Sequence, residues 1–433
     1  QESGETGNIK TIIPDISDVY IEKLEVIKGK LLINTKEKDE IKIAQEIGIE
    51  VNPYDITEDG VLVSSDGNLL LMDEETGSLT IPETVTAIGE GAFTNLEGLK
   101  TIIIPSTVKR IEKNAFKNNT TLENVIIQEK EGEGLEYIGS AAFSRCSNLK
   151  TINLPDTITT IESQCFRFCT QLSTIKLPVN LTVLTAGSFQ DCTNLKTIEL
   201  PQNLKRLDGS CLMGTALSKI KLPPNLSSIG GAALAIPTLQ EIDTSESNYF
   251  EYKNGVLYTK DFKTLITAVS NVTNITMENK VETIKGYSFT CCNKLSTIHL
   301  TENVQNIEDG VFTNSNLKGI TVDPNNDYYM SDEKNNLYNK DGTILYRLFD
   351  TGNVTMRDGV KNIKYGALRS GIKSIILPES YVGDTTIGWN IFPAIEYLYL
   401  PKNVNSFYKS TYFSVRTIEV SKDNPYLQSI NNE

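Results

Sequence analysis

The sequence predicts an α/β-type solenoid that is mostly β: short strands side by side in one parallel sheet, joined by return segments and broken by β-hairpin insertions. Three observations carry this expectation. Pro155, Pro178 and Pro201 stand 23 residues apart, as do Pro82 and Pro105, and Pro378 and Pro401. Phe93 and Phe116 keep the same interval, as do Phe143, Phe166 and Phe189, and Phe289 and Phe312. The apolar string Leu149, Ile152, Leu154, Ile158, Ile161, Phe166 returns as Leu172, Ile175, Leu177, Leu181, Leu184, Phe189, and again as Leu195, Ile198, Leu200, Leu204, Leu207, Leu212. Self-similarity at a fixed period of this length marks stacked repeats.

Each part of the repeat has a physical reading. In Leu-x-x-Ile-x-Leu the fourth and sixth residues share one face of a short strand, and the first curls in beside them. The proline that follows has no N–H for a ladder, so it ends the pairing. The next two apolar residues lie three apart and the phenylalanine follows five later, which suits a return of irregular or short helical turns. No unit covers its own apolar face, so stability must come from stacking on neighbours.

The string Leu79-Thr80-Ile81-Pro82-Glu83-Thr84-Val85-Thr86-Ala87-Ile88-Gly89-Glu90-Gly91-Ala92-Phe93 resembles the BspA-like branch of the leucine-rich repeat family. The resemblance covers about residues 79–420. It implies a right-handed, curved solenoid (a horseshoe or arc with the parallel sheet on its concave face), export to the bacterial surface, and binding of other macromolecules rather than catalysis. It implies no particular ligand.

Three stretches break the period in a shared way: Gly60 to Leu70, Gly255 to Ile266, and Asn336 to Leu345. In each, two apolar runs flank Asp-Gly or a longer polar turn, the signature of a β-hairpin. Each is preceded by asparagine and tyrosine (Asn52-Pro53-Tyr54, Asn248-Tyr249, Asn326-Asp327-Tyr328), and the same opening recurs at Asn424-Pro425-Tyr426. The expected organisation is therefore a flexible leader at 1–7, an N-terminal cap with a hairpin at 8–78, and a solenoid at 79–420. Hairpin insertions fall at about 243–275 and 322–354, and 421–433 is a tail or truncated insertion. Within the cap, Val19 to Ile33 alternates as a hairpin around Lys28-Gly29-Lys30, and Glu37 to Ile47 reads as a short helix. Gln1 to Gly7 is small and polar. It reads either as what remains after a targeting segment is removed, with a lipid anchor upstream, or as an arbitrary cut.

Composition narrows the function. The 433 residues hold 55 Asp and Glu against 41 Lys and Arg, a net charge of −14, which disfavours nucleic acid or anionic membrane as a partner. No apolar run approaches the ~18 residues that span a bilayer. A single histidine, His299, removes most zinc and most histidine acid–base chemistry. No G-x-S-x-G elbow, Walker loop or H-E-x-x-H helix occurs. The expectation is a non-enzymatic protein with no cofactor, no metal and no catalytic residues.

The seven cysteines follow the repeat. Cys146, Cys169, Cys192 and Cys292 each precede a strand-opening leucine by three residues, while Cys165 and Cys211 precede the return-segment Phe166 and Leu212 by one. Both are small inward positions, where cysteine serves as a buried hydrophobe; only Cys291 falls outside the scheme. The acidic turn Asp323 to Asp327 lacks the ligand spacing of a calcium loop and reads as a solvated turn.

What remains is the outward strand face, at the third and fifth positions of each unit, which solenoids use for binding. The candidate ligand-binding residues there are Thr174, Lys176, Thr197, Glu199, Lys219, Lys221, Glu241, Asp243, His299, Tyr397 and Tyr399. The alternating charges are either a ladder of neighbouring pairs or a footprint for a polar partner. The late repeats crowd aromatics, among them Tyr381, Trp389, Phe392, Tyr397, Tyr399, Phe407, Tyr408, Tyr412, Phe413 and Tyr426. They are either a core-filling cap or a binding surface. The leading expectation is a surface adhesion protein that binds host extracellular or neighbouring-cell proteins. The alternative is glycan binding through Tyr397, Tyr399 and Trp389.

Overall fold

The computed structural model describes residues 76–427 apart from 82, 84, 97, 132, 314–315, 365, 383–393 and 406–414, together with strand residues 23–27, 30–34, 61–63 and 69–71. The helix expected at Glu37 to Ile47, the opening Asn52-Pro53-Tyr54, and Pro82, Trp389, Phe392, Phe407, Tyr408, Tyr412 and Phe413 lie outside these residues. The chain divides into two compact units, Gln1–Leu217 and Ser218–Glu433, and each is a stack of β-turns of the same design. Among the described residues there is no α-helix.

In the first unit, Ser78–Thr80, Thr101–Ile104, Asn124–Ile127 and Thr151–Ile152 form a parallel sheet. Its register sets Ser78 beside Thr101 and Thr101 beside Asn124, so the sequence period is the sheet register itself. Thr174–Lys176 and Thr197–Glu199 pair in the same way, and a bridge from Asn153 to Lys176 carries the row onward. The inward residues Leu79, Ile81, Ile102, Ile104, Val125 and Ile152 are buried, as the apolar spacing predicts.

The return segments differ from the sequence expectation. In each return the second of the two apolar residues, with the residue before it, forms a two-residue strand of a second parallel sheet: Ala87–Ile88, Arg110–Ile111, Tyr137–Ile138 and Thr160–Ile161. The turn that follows is not helical either. Gly91 N donates to Lys113 O, Phe93 N to Ala115 O and Asn95 N to Lys117 O, at 3.0, 2.7 and 3.0 Å. Once copies of the turn stack at strand distance, alternate N–H groups meet the carbonyl just before their own copy, while Ala92 N and Thr94 N close the turn on Gly89 O and Gly91 O. Two positions per return need left-handed backbone, two before and two after the phenylalanine. They are held by Gly91 and Asn95, then by Asn114 and Asn118, with φ between 59° and 68°.

The phenylalanines form one continuous column in this unit. Ring centroids of Phe93, Phe116, Phe143, Phe166 and Phe189 succeed one another at 4.9, 5.0, 5.5 and 5.3 Å, nearly parallel. All five rings are buried. Each stacked contact of this kind adds roughly 0.5–1.5 kcal/mol beyond the area it buries. The cysteine column has its own role. Cys146, Cys169 and Cys192 each donate from Sγ to the carbonyl of the phenylalanine in the preceding turn (Phe116, Phe143, Phe166) at 3.1, 3.2 and 3.0 Å. Asn119 holds the equivalent place and donates to Phe93 O at 2.6 Å.

In the second unit the strand face comprises Lys219–Lys221 with Glu241–Asp243, Thr297–Leu300 with Gly319–Val322, and a four-stranded sheet of Gly352–Thr355, Ile372–Ile376, Ile395–Leu400 and Val415–Val420. Both described insertions are three-stranded rather than two-stranded. Phe250–Lys253, Val256–Thr259 and Thr264–Ala268 run antiparallel, and the last pairs in parallel with Thr283–Ile284. Tyr329–Ser331, Leu337–Asn339 and Ile344–Arg347 do the same, joining Asn362–Ile363. The hairpin thus grows out of the second sheet and supplies that turn's strand.

An asparagine fixes the entry to the insertion. Asn326 is fully buried; its Nδ2 donates to Thr301 O and Val304 O, and its Oδ1 accepts from Tyr328 N and Tyr329 N, all at 2.8–2.9 Å. Asn424 repeats the pattern on Pro401 O, Val404 O, Tyr426 N and Leu427 N. The first insertion is different: the accepting side chain is Ser247, bonded by Tyr249 N and Phe250 N, while Asn248 is exposed and reaches Pro224 O. The acidic turn at Asp323 is thus solvated except at Asn326, which is a structural lock.

Near the N-terminus, Lys23–Ile27 pairs antiparallel with Lys30–Asn34, and Val61–Val63 with Leu69–Leu71, so both hairpins read from the sequence are present.

Candidate binding surface

The outward residues of each strand row stand on a flat ladder whose inward partners are locked in the core, so their positions are set by the sheet register. In the first unit Thr174 lies beside Thr197 and Lys176 beside Glu199. All four are exposed, and the two threonine hydroxyls are 3.5 Å apart. Lys176 turns to Asp156, 3.5 Å away.

In the second unit Lys219 lies beside Glu241 and Lys221 beside Asp243. Lys219 Nζ is 2.7 Å from Glu241 and Lys221 Nζ is 2.6 Å from Glu246. Those hydrogen bonds raise both ammonium pKa values. Asp243 accepts from Ser245 N at 2.9 Å, and its bonds to Ser245 hold the carboxyl below its ordinary range. His299 is exposed with Nδ1 2.9 Å from Thr321 Oγ1, its register neighbour. Of the two readings left open for the charges, mutual pairing describes Lys219, Lys221 and Lys176; Asp243 is committed to its turn.

The aromatic end is arranged differently. In the Ile372–Ile376, Ile395–Leu400 and Val415–Val420 strands, Ser374, Tyr397 and Thr417 form one outward row and Ile376, Tyr399 and Glu419 the next. Tyr397 donates to Glu419 Oε2 at 2.7 Å and Tyr399 to Glu379 Oε1 at 3.3 Å. Partial burial, with the Glu419 bond added, pushes the Tyr397 phenol up to about 12. Ile376 is 40% exposed beside them. Tyr381, by contrast, is fully buried and belongs to the core with Leu377, Leu398 and Val404. The aromatics thus divide: Tyr381 fills the core, while Tyr397 and Tyr399 stand on the outer face.

Sequence reasoning passed over Glu246, Glu379, Glu419 and Thr321, which hold the candidate residues in place. The usable signal was the step of 20–25 residues between register neighbours. Ile126, at a fifth strand position and 47% exposed, is among the most accessible aliphatic residues and lies beside Ile103.

Among the described residues no group of three or more His, Cys, Asp or Glu has the arrangement to hold a metal ion. The seven cysteines are free thiols; six are buried and Cys291 is half-buried. Burial pushes the Cys146, Cys192 and Cys292 thiols up to about 12 and Cys291 to about 11, so none is primed as a nucleophile. No helix among the described residues is long and apolar enough to cross a membrane.

Stacked 23-residue turns, a phenylalanine column and a polar outward ladder define a repeat stack of the leucine-rich repeat class. The chain belongs to the BspA-type leucine-rich repeat family: the model of the BspA type leucine rich repeat region matches residues 71–133, 131–240 and 264–336. No curated protein matches it. Among solved structures it is similar to a leucine rich cell surface protein from Faecalibacterium prausnitzii, at 24% identity over 81% of this chain and 92% of that one, with a TM-score of 0.56. It is also similar to the pneumococcal vaccine antigen PcpA, at 18% identity over 85% of this chain and all of that one (TM-score 0.46). A leucine-rich repeat protein from Bacteroides ovatus matches at 21% identity over 84% and 95% (TM-score 0.39).

Proposed function

We propose that this is a non-enzymatic cell-surface recognition protein whose outward strand face binds another protein, with Tyr397, Tyr399 and Ile376 as its centre. Membership of the BspA-type family supports a binding or adhesion role. One observation carries the choice of centre: here the outward rows hold large amphipathic side chains rather than mutually paired charges. Tyrosines whose hydroxyls are oriented by Glu379 and Glu419 offer rigid contact area with polar tips, the chemistry favoured at protein interfaces. The segment before residue 79 serves, in this reading, as a cover for the first repeat. Export to the bacterial surface, with or without a lipid anchor, goes with the same role.

The test is binding of the full chain to extracellular and cell-surface protein preparations, compared with the Tyr397→Ala/Tyr399→Ala variant. Capture of defined proteins by the wild-type chain, lost by at least about tenfold in the variant, supports the reading. Equal capture by both chains removes this centre. Selective retention on a glycan array, with no protein captured, replaces protein with carbohydrate as the partner.

A further inference from the structure

A second feature lies away from the strand face, on the return turns of the first unit. The position two residues after each phenylalanine of the column, and after Leu212 in the turn that follows, is left-handed throughout that unit. It is held in turn by Asn95, Asn118, Arg145, Phe168, Asp191 and Gly214, with φ of 60°, 63°, 63°, 61°, 60° and 73°. Asparagine, aspartate and glycine tolerate this conformation; arginine does so poorly, and for a bulky aromatic residue it is an outlier. Two consecutive turns therefore depart from the preference that their neighbours obey. The surrounding stack over-determines such turns, as it also does at Gln164, Phe262 and Tyr287, so it is what these two side chains build that matters.

What the two departures build is specific. The Arg145 guanidinium carbon lies 4.9 Å from the centroid of the Phe168 ring, and that of Arg167 lies 4.7 Å from it. Arg145 is exposed, and Arg167 and Phe168 are half-buried. The unit has four arginines. Arg110 and Arg206 are each bonded to a carboxylate two residues on, Glu112 at 2.7 Å and Asp208 at 2.6 Å. Among the described residues Arg145 and Arg167 have no such partner, and the buried Nε of Arg167 has no acceptor. Asp191, the next residue along the column, forms an ion pair with neither. A chain with a net charge of −14 thus keeps two guanidinium groups unpaired on one phenyl ring.

We propose that Arg145, Phe168 and Arg167 form a docking site for an acidic peptide segment of a partner protein. The guanidinium forks take its carboxylates in paired hydrogen bonds, and the ring takes an adjoining apolar side chain. Guanidinium is planar and matches carboxylate two bonds at a time, and stacking on the ring holds each fork in place. A long polyanion is disfavoured because the surrounding charge repels it, whereas one or two carboxylates flanked by apolar groups are not.

The test uses the full chain and a fluorescein-labelled short peptide of alternating glutamate and phenylalanine, read by anisotropy at low salt. The expected result is saturable binding that weakens as salt is added. It falls by ~10-fold or more in Arg145→Ala/Arg167→Ala, and comparably in Arg145→Lys/Arg167→Lys, where charge is kept but the fork is lost. Phe168→Asn, which installs the residue found at Asn95 and Asn118, keeps the fold by circular dichroism and also weakens binding. The proposal is overturned if wild type and the alanine double variant bind alike, if the glutamine-for-glutamate peptide binds as well as the acidic one, or if only a heparin oligosaccharide binds. Tyr397→Ala/Tyr399→Ala leaves the peptide affinity unchanged, which separates this site from the strand-face reading.

Discussion

Within Gln1–Leu217 the phenylalanine column runs through five turns without a gap, at centroid steps of 4.9–5.5 Å. Within Ser218–Glu433 the column is, among the described residues, two rings long, Phe289 and Phe312, 6.2 Å apart. The core there passes instead to Leu345, Val354, Ile363, Tyr381 and Leu398, and to the strands of the two insertions. The first unit is held by repetition of one contact, the second by a different contact at each turn. A regular stack can spend a few positions on something else, as Arg145 and Phe168 illustrate, because the remaining columns keep it in register. In the second unit each described insertion is entered through a side-chain lock, Ser247 at the first and Asn326 at the second, and its last strand joins the second sheet.

The largest expected effect tests the column directly. Phe143→Ala, in its middle, should cost about 3–5 kcal/mol, seen as a clear fall in the denaturant midpoint of the transition that involves the first unit. Phe312→Ala, at the end of a two-ring column, should cost less. Equal losses would mean that column continuity contributes nothing.

Alkaline pH separates the units by a different route. Five buried thiols lie in the first unit (Cys146, Cys165, Cys169, Cys192 and Cys211), each pushed above the ordinary value of 9.0 by burial. The folded state then holds protons that the unfolded state releases, so their stability contribution is complete below pH 9 and is lost as pH rises toward 12. The second unit has two such thiols, Cys291 and Cys292, beside the phenols Tyr258, Tyr329 and Tyr338, whose ordinary value is 10.0. Both units should therefore begin to lose stability above pH 9, the first more steeply there because it holds five raised thiols against two. Tryptic fragments released between pH 8 and 11 locate each loss; a steeper early loss in the second unit would contradict the thiol account.

The smallest effect is expected where the strand face is most charged. Lys219→Ala removes an exposed ion pair with Glu241, and the melting temperature should stay within measurement error. A measurable drop would mean that the ladder is a structural element and not a solvated pairing.

The period, the inward residues and the family could be read from the chain because each rests on local chemistry repeated many times. A proline that stops a ladder and an Ile-x-Leu pair that must face one way carry the same meaning at Pro155, Pro178 and Pro201. The second sheet was not readable. Two-residue strands such as Arg110–Ile111 have no periodicity of their own and exist only because a copy lies beside them. The same holds for the third strand of each insertion, and for Ser247 in place of Asn248 as the first lock. At the strand face, sequence placed Lys219, Glu241, Tyr397 and Tyr399 outward, but not the bonds they make.

The order of the chain by itself determined that identical segments would stack, which side chains would be interior, and that the cysteines would be packing residues. Only the folded stack decided which outward charges neutralise one another and which are left free. That depends on lateral neighbours about 23 residues away, where a shift of one residue turns a side chain to the opposite face. It also set an arginine and a phenylalanine in left-handed turns beside a second arginine, since ring and guanidinium meet only when consecutive turns are laid in register.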